Sequence, residues 1–354
     1  MSRALSLIGL TCVALVGCGN DDLQQRTELQ EYRVLAIRSD IPEPGPEETV
    51  ILSVVEHDPH DVDPEAPLGA PFYVWEVCPF SFGSLAQYDC FDPLAQLQGD
   101  MAGGTPTAEQ QQAAGRVIAV LAEKGITPDQ AAGIFSPTIS ETERAELILD
   151  METVGGVGIR TIYELCAAVS SDGVCRTLDG NVVTLEAGWN LYVKLYSGRE
   201  GVVRNDTVKV LKVRDFDGRN RNNPAFATLE TTDLEGQPAT QGVPGQTLTF
   251  TLTLVAGSAE EYPEIQYDDQ GAMIRNADGT PVTETATEEL LYSWYATGGD
   301  FKRSRTVTDS LFDQRENNLK LPEEAGPVRV WVVARDGRGG FAARSLDIQV
   351  VEAP

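Results

Sequence analysis

The chain contains two histidines in 354 residues, and both sit in one acidic stretch, Glu56-His57-Asp58-Pro59-His60-Asp61-Val62-Asp63-Pro64-Glu65. Imidazole nitrogens and carboxylate oxygens at this density are the donor types that hold a divalent ion, with His57 and His60 as the candidate ligands. Metal ligands must converge, however, and the prolines splay successive side chains apart, so a solvated acidic loop is the competing reading. A second oxygen-rich stretch, Asp215-Phe216-Asp217-Gly218-Arg219-Asn220-Arg221-Asn222-Asn223-Pro224, sets Asp215 and Asp217 just ahead of a glycine. Alternating oxygen donors beside a glycine suggest calcium, which would stiffen a junction between domains. Arg219 and Arg221 put cations where a cation would bind, which favours a turn-rich linker instead.

Tyr192 and Tyr196 alternate with Leu191, Val193 and Leu195, so both point to one strand face, about 13 Å apart at strand rise. Paired aromatics at that spacing could stack on sugar rings; alternatively a neighbouring element half-covers them. Trp75 and Trp294 are most simply core residues. Signatures of catalysis are missing. There is no Gly-x-Ser-x-Gly elbow, no His-Glu-x-x-His and no Walker loop, and Gly155-Gly156-Val157-Gly158 has neither the spacing nor the lysine to cradle phosphate. The histidines have no Ser or Cys near them in sequence. The expectation is a protein that is not an enzyme.

Composition narrows the partners. A formal net charge of −27 and a pI near 4.3 argue against nucleic acid and against electrostatic docking on anionic membranes. Gly and Pro are near ordinary abundance, so this is no low-complexity chain.

At the N-terminus Arg3 supplies a positive charge ahead of an apolar run, Ala4 to Val16, too short for a bilayer span of about 20 residues but suited to a secretory signal. Leu15-Val16-Gly17-Cys18 follows. These residues resemble the lipobox of bacterial lipoproteins. The resemblance implies removal of 1–17, lipidation of Cys18 and a membrane held through covalent acyl chains, since two or more chains anchor stably where one does not. Gly19 rather than Asp after Cys18 resembles outer-membrane sorting in a Gram-negative envelope. Residues 18–31 read as the lipidated cysteine and a polar tether.

Four cysteines remain after Cys12 and Cys18: Cys78, Cys90, Cys166 and Cys175. An even number in an exported chain reads as disulfides with three connectivities open. Pairing Cys78–Cys90 and Cys166–Cys175 closes the shortest loops. No CxxC spacing favours zinc.

Strand signals dominate and occur in two sets. Leu248, Phe250, Leu252 and Leu254 alternate with threonines after a Pro244-Gly245 turn, and Leu290 to Ala296 carries Trp294. Val328–Val333 and Leu346–Val351 flank a turn at Asp336-Gly337-Arg338-Gly339-Gly340. In the first half Pro44-Gly45 precedes Thr49–Val55, Phe72–Val77 carries Trp75, and strands at 191–195 and 207–213 follow. Period-two alternation with turns between predicts antiparallel sandwiches. Both halves resemble immunoglobulin-like or PKD-like domains of bacterial surface proteins, the second through Tyr292-Ser293-Trp294-Tyr295 followed by Gly298-Gly299-Asp300-Phe301. Between Cys78 and Cys175 the grammar changes. Ala113, Val117, Val120 and Leu121 give a helical face, and Thr127-Pro128-Asp129-Gln130 and Ser140-Glu141-Thr142-Glu143 look like helix starts.

The expected architecture is therefore mainly β: an Ig-like sandwich over 32–214 with a disulfide-bracketed, largely helical insert at about 80–165, a linker at 215–224, and a second sandwich over 225–354. The expected role is a lipid-anchored, non-catalytic envelope component that engages another envelope protein. The alternative is a module for polysaccharide or peptidoglycan, with calcium at the junction.

Overall fold

The computed structural model describes residues 27–352, apart from 47, 60–68, 79–80, 82–83, 85–86, 91–107, 128–137, 142–145, 151–158, 171, 178–179 and 200–203. The first half holds strands β1 (Arg33–Ser39), β2 (Thr49–His57), β3 (Pro71–Cys78), β4 (Thr138–Glu141), β5 (Glu146–Asp150), β6 (Trp189–Arg199) and β7 (Arg204–Val213). Helix α1 (Ala108–Glu123) lies between β3 and β4, and α2 (Ile159–Val169) between β5 and β6. The strands form two antiparallel sheets, β1-β2-β5 and β4-β3-β6-β7. Alternation places Val50 and Leu52 of one sheet against Trp75, Val77, Leu191, Val193 and Leu195 of the other, in a single buried cluster. This is the face-to-face packing of a sandwich, in which every second residue leaves water.

The second half contains β8 (Phe226–Thr232), β9 (Gln241–Gly242), β10 (Thr247–Leu254), β11 (Glu261–Ile265), β12 (Thr283–Thr287), β13 (Leu290–Ala296), β14 (Asp300–Phe301), β15 (Arg305–Thr308), β16 (Glu316–Lys320), β17 (Gly326–Arg335) and β18 (Phe341–Val350). One sheet runs β14-β16-β10-β8 and the other β15-β13-β17-β18-β9. The chain leaves β8 in the first sheet and joins the other as β9, parallel to the last strand β18. That switch, with consecutive strands crossing between sheets, gives the second half an Ig-like topology. Leu248, Phe250 and Leu252 meet Trp294, Val330 and Val332 in its core, and Trp294 Nε1 donates to Thr306 Oγ1 at 2.9 Å. Strands β11 and β12 form a separate two-stranded arm.

Disulfides Cys78–Cys90 and Cys166–Cys175 bracket the helical region, in the pairing that closes the shortest loops. The region is not helical throughout. Its middle supplies β4, which pairs with β3, and β5, which pairs with β2, so it completes both sheets of the first sandwich. Of the helix start expected at Ser140–Glu143, Ser140 and Glu141 are instead the end of β4, and Thr142 and Glu143 lie outside the described residues. The β-branched and apolar residues Thr138, Ile139, Leu147, Ile148 and Leu149 find open sheet edges, and that pairing overrides a local capping signal. Of the start expected at Thr127–Gln130, residues 128–130 lie outside the described residues. Helices α1 and α2 pack through Val117, Leu121, Leu165 and Ala168. Arg116 Nε, on α1, donates to the Ala168 carbonyl at 3.0 Å, at the end of α2 where carbonyls lack helical partners. Ile162 and Cys166 turn the other face of α2 into the sandwich core.

The polar stretch expected as a tether docks at its C-terminal end. The Ala296 amide donates to the Thr27 carbonyl, and the Leu29 amide to the Ala296 carbonyl, each at 2.8 Å. Leu29 is only 1% exposed. A single leucine without an apolar stripe gives no amphipathic signal, and its burial depends on a surface made by the other sandwich.

Candidate functional site at the domain junction

The sequence-derived candidates scatter over the molecule. His57 is buried, its ring meeting Trp331 of β17 edge-on at 5.0 Å between centroids. Its neighbour Asp58 is ion-paired with Arg199 at the end of β6. His60 and Cys18 lie outside the described residues. Asp215 and Asp217 are both exposed. Among the described residues, the only group of His, Cys and acidic side chains within metal-binding range is Glu76, Cys78 and Cys90, and both cysteines of that group are disulfide-bonded. Tyr192 and Tyr196 do share a face of β6. The ring of Tyr88 covers Tyr192 at 5.7 Å, and Tyr196 donates to Glu76 at 2.9 Å. Between them Lys194 is ion-paired with Asp89 at 2.9 Å.

A dense polar constellation lies where the sandwiches meet. The turn between β17 and β18, Asp336-Gly337-Arg338-Gly339-Gly340, reaches the first sandwich, where Lys209 of β7 donates to the Gly339 carbonyl. Arg338 Nη2 donates to Glu43 at 2.9 Å and to the Gly218 carbonyl at 2.8 Å. Arg338 Nη1 donates to Glu288 at 3.2 Å. Glu43 also accepts from Arg214 Nη1 at 3.4 Å and from the Asn220 amide at 2.7 Å. Asn220 Nδ2 in turn donates to Asp336 at 2.8 Å. Thus the linker, the loop after β1 and the β17–β18 turn share one buried network, with every carboxylate answered by a guanidinium or an amide.

Two glycines make the approach possible. Gly339 has φ +97°, and a Cβ there would lie 3.0 Å from the Pro42 carbonyl oxygen. At Gly340 a Cβ would sit 1.8 Å from an Asp336 carboxylate oxygen. Beside the network an apolar cluster joins Leu29, Leu35 and Ala36 to Trp331, Val333 and Phe341. Asn223 extends the linker's role, accepting from the Phe341 amide at 2.7 Å and donating to the Ser39 carbonyl at 2.8 Å.

Burial dominates the titration of Glu288 and Lys209. The Glu288 carboxyl is pushed up to about 7 by desolvation, aided by the nearby Asp336 charge, against the Glu260 amide and Arg338. The Lys209 ammonium is pushed down to about 8, again by burial, with Arg335 adding to the effect and Asp336 opposing it. Asp336 and Arg338 entered the sequence reading only as turn residues. The one available signal was that the turn carries an arginine between glycines where a polar filler would have served.

No protein-family model matches the chain, and no curated protein matches it in sequence. Among solved structures it is similar to the D0–D1 domain of intimin, at 7% identity and TM-score 0.20 over 90% of this chain and 99% of that one. It is also similar to the tandem V-type regions of the v-region-containing chitin-binding protein VCBP3, at 9% identity and TM-score 0.27 over 90% of this chain and 100% of that one. A third is dimeric latent PorU from Porphyromonas gingivalis, at 8% identity and TM-score 0.19 over 92% of this chain and 24% of that one. Overlays this loose carry no argument about function. The class follows from strand order: a mainly β protein of tandem Ig-like sandwiches.

Proposed function

We propose that the chain is a lipid-anchored envelope protein that acts without catalysis, as a rigid structural or interaction unit at the outer membrane. The observation that carries this reading is the buried junction. Tandem sandwiches joined by a free linker would move independently, since interfaces within a chain are ordinarily small and polar. Here the linker, the N-terminal segment and a hairpin turn all enter one interface, as suits a part that holds a partner at a fixed distance and angle. The lipobox-like Leu15-Val16-Gly17-Cys18 supports attachment through Cys18.

The partner in this reading is another envelope protein. Two exposed features suit such contact: Ile118 on α1, 64% exposed, and the Leu311-Phe312 turn, 82% and 52% exposed. That turn is held by Asp309, whose carboxylate accepts from both amides at 2.7 Å. In-cell crosslinking followed by purification and mass spectrometry tests the proposal. A partner at near-equal yield, lost in Ile118→Asp or in Leu311→Ser with Phe312→Ser, is the expected result. Recovery of the chain alone, beside well-formed crosslinks on control envelope complexes, overturns it. Separately, Cys18→Ala should abolish fatty-acid labelling, and labelling that persists overturns the anchor.

A further inference from the structure

Between the outer face of β6–β7 and the β11 arm lies a cavity of about 390 Å³, within the range of ~300–1,000 Å³ usual for small-molecule sites. Asn190 and Lys212, cross-strand partners on β6 and β7, line it together with Arg214, Arg338, Tyr262 and Tyr267. The guanidiniums are already engaged. Arg214 and Arg338 share Glu43, Arg338 also holds Glu288, and its guanidinium carbon sits 3.8 Å from the centre of the Tyr262 ring.

Lys212 differs from them. Its stem packs over Gly188, where a Cβ would lie 2.5 Å from Lys212 Cε, and its ammonium has no hydrogen bond or ion pair among the described residues. Burial pushes the ammonium below its ordinary range, Arg214 and Arg338 push the same way, and only Glu43 opposes them. Glu264, on the same lining, is exposed to water, which screens it. Tyr267 is 45% exposed and brings an aromatic ring to the cavity.

A partly buried cation that faces a cavity and has no hydrogen bond or ion pair among the described residues, with Glu43 its one opposing charge nearby, has donors left for an anion. An aromatic ring with amide and guanidinium donors around it suits a polar ring-bearing ligand. We propose that this cavity binds an anionic saccharide, a sugar ring bearing a carboxylate or a phosphate, with Lys212 meeting the charge and Tyr267 packing against the ring. This assignment is independent of the lipid anchor and of any protein partner.

Calorimetric titration of the full chain with trigalacturonate, glucose 6-phosphate and the neutral maltotriose tests it. Binding of at least one acidic probe and none of maltotriose is expected, and which acidic probe binds tells carboxylate from phosphate. Lys212→Gln should weaken that binding about tenfold or more, the usual worth of a hydrogen bond to a charged group. Tyr267→Ala should weaken it several-fold, with thermal stability retained in both variants and affinity largely kept in Lys212→Arg. The proposal is overturned if neither acidic probe binds, if maltotriose binds equally well, or if both Lys212→Gln and Tyr267→Ala bind like the parent.

Discussion

Asn220 Nδ2 donates to Asp336 at 2.8 Å with both residues buried, so a linker side chain is a structural partner of the turn between the last two strands. Asn220→Ala leaves Asp336 with the backbone amides of Arg338 and Gly340 but removes its side-chain donor. A buried acceptor that loses a partner costs on the order of 1–3 kcal/mol. A lower urea midpoint with an unchanged slope is the expected outcome, and an unchanged midpoint would remove Asn220 from the account of the junction.

Gly340→Ala attacks the same contact sterically, because the added methyl would sit 1.8 Å from an Asp336 oxygen. Either the Asp336 carboxylate gives up its bonds to Asn220 and the turn amides or the turn itself shifts. Destabilisation of at least about 2 kcal/mol is expected, along with a rise in the angular spread between sandwiches measured by small-angle scattering.

Leu29→Ala tests the docked N-terminal segment. Truncating a buried leucine costs about 2–5 kcal/mol, depending on how far the site collapses. Thr27–Leu29 should then lose protection from amide hydrogen exchange before either sandwich core does. Equal protection in parent and variant would mean that Leu29 does not hold the segment.

Glu288 gives the junction a pH signature. Its folded-state pKa of about 7 lies above the ordinary value of 4.5, so the folded state binds more protons than the unfolded state between those limits. Stability from this group is therefore full below about pH 4.5 and lost as pH rises to about 7, by no more than about 3 kcal/mol. Glu288→Gln should gain stability relative to the parent across that window and hold the gain at higher pH. A difference independent of pH, from denaturant melts at several pH values, would contradict the assignment.

Cys166 and Cys175 are buried in the first core and close a loop of sequence separation 9. In the chain-entropy model that loop contributes about 2–3 kcal/mol. Replacing both with alanine should lower the melting temperature and leave the second sandwich, which has no cysteine, unchanged by near-ultraviolet circular dichroism.

Legibility from sequence divided along one physical line. Strands whose alternation meets a core, such as Leu248-Phe250-Leu252 or the strand carrying Trp294, were readable because periodicity alone dictates which face leaves water. The short loops closed by Cys78–Cys90 and Cys166–Cys175 were readable by proximity. The junction was not. Glu43, Asn220, Asp336 and Arg338 come from distant segments, and each looks locally like an ordinary turn or loop residue. Lys212 likewise reads as the wet face of a strand, and only the β11 arm turns that face into a cavity wall. Strands β4 and β5 hid for a related reason: their pairing partners, not their own residues, decide their conformation.

The bond between Leu29 and Ala296 joins an early stretch of the chain to one made near its end. Contacts of such high sequence separation form late, because the intervening loop must be ordered first. Without the second sandwich, Leu29 has no surface to bury it. A nascent or truncated chain stopped before β13 would carry an unsatisfied apolar surface at Leu29, Leu35 and Ala36.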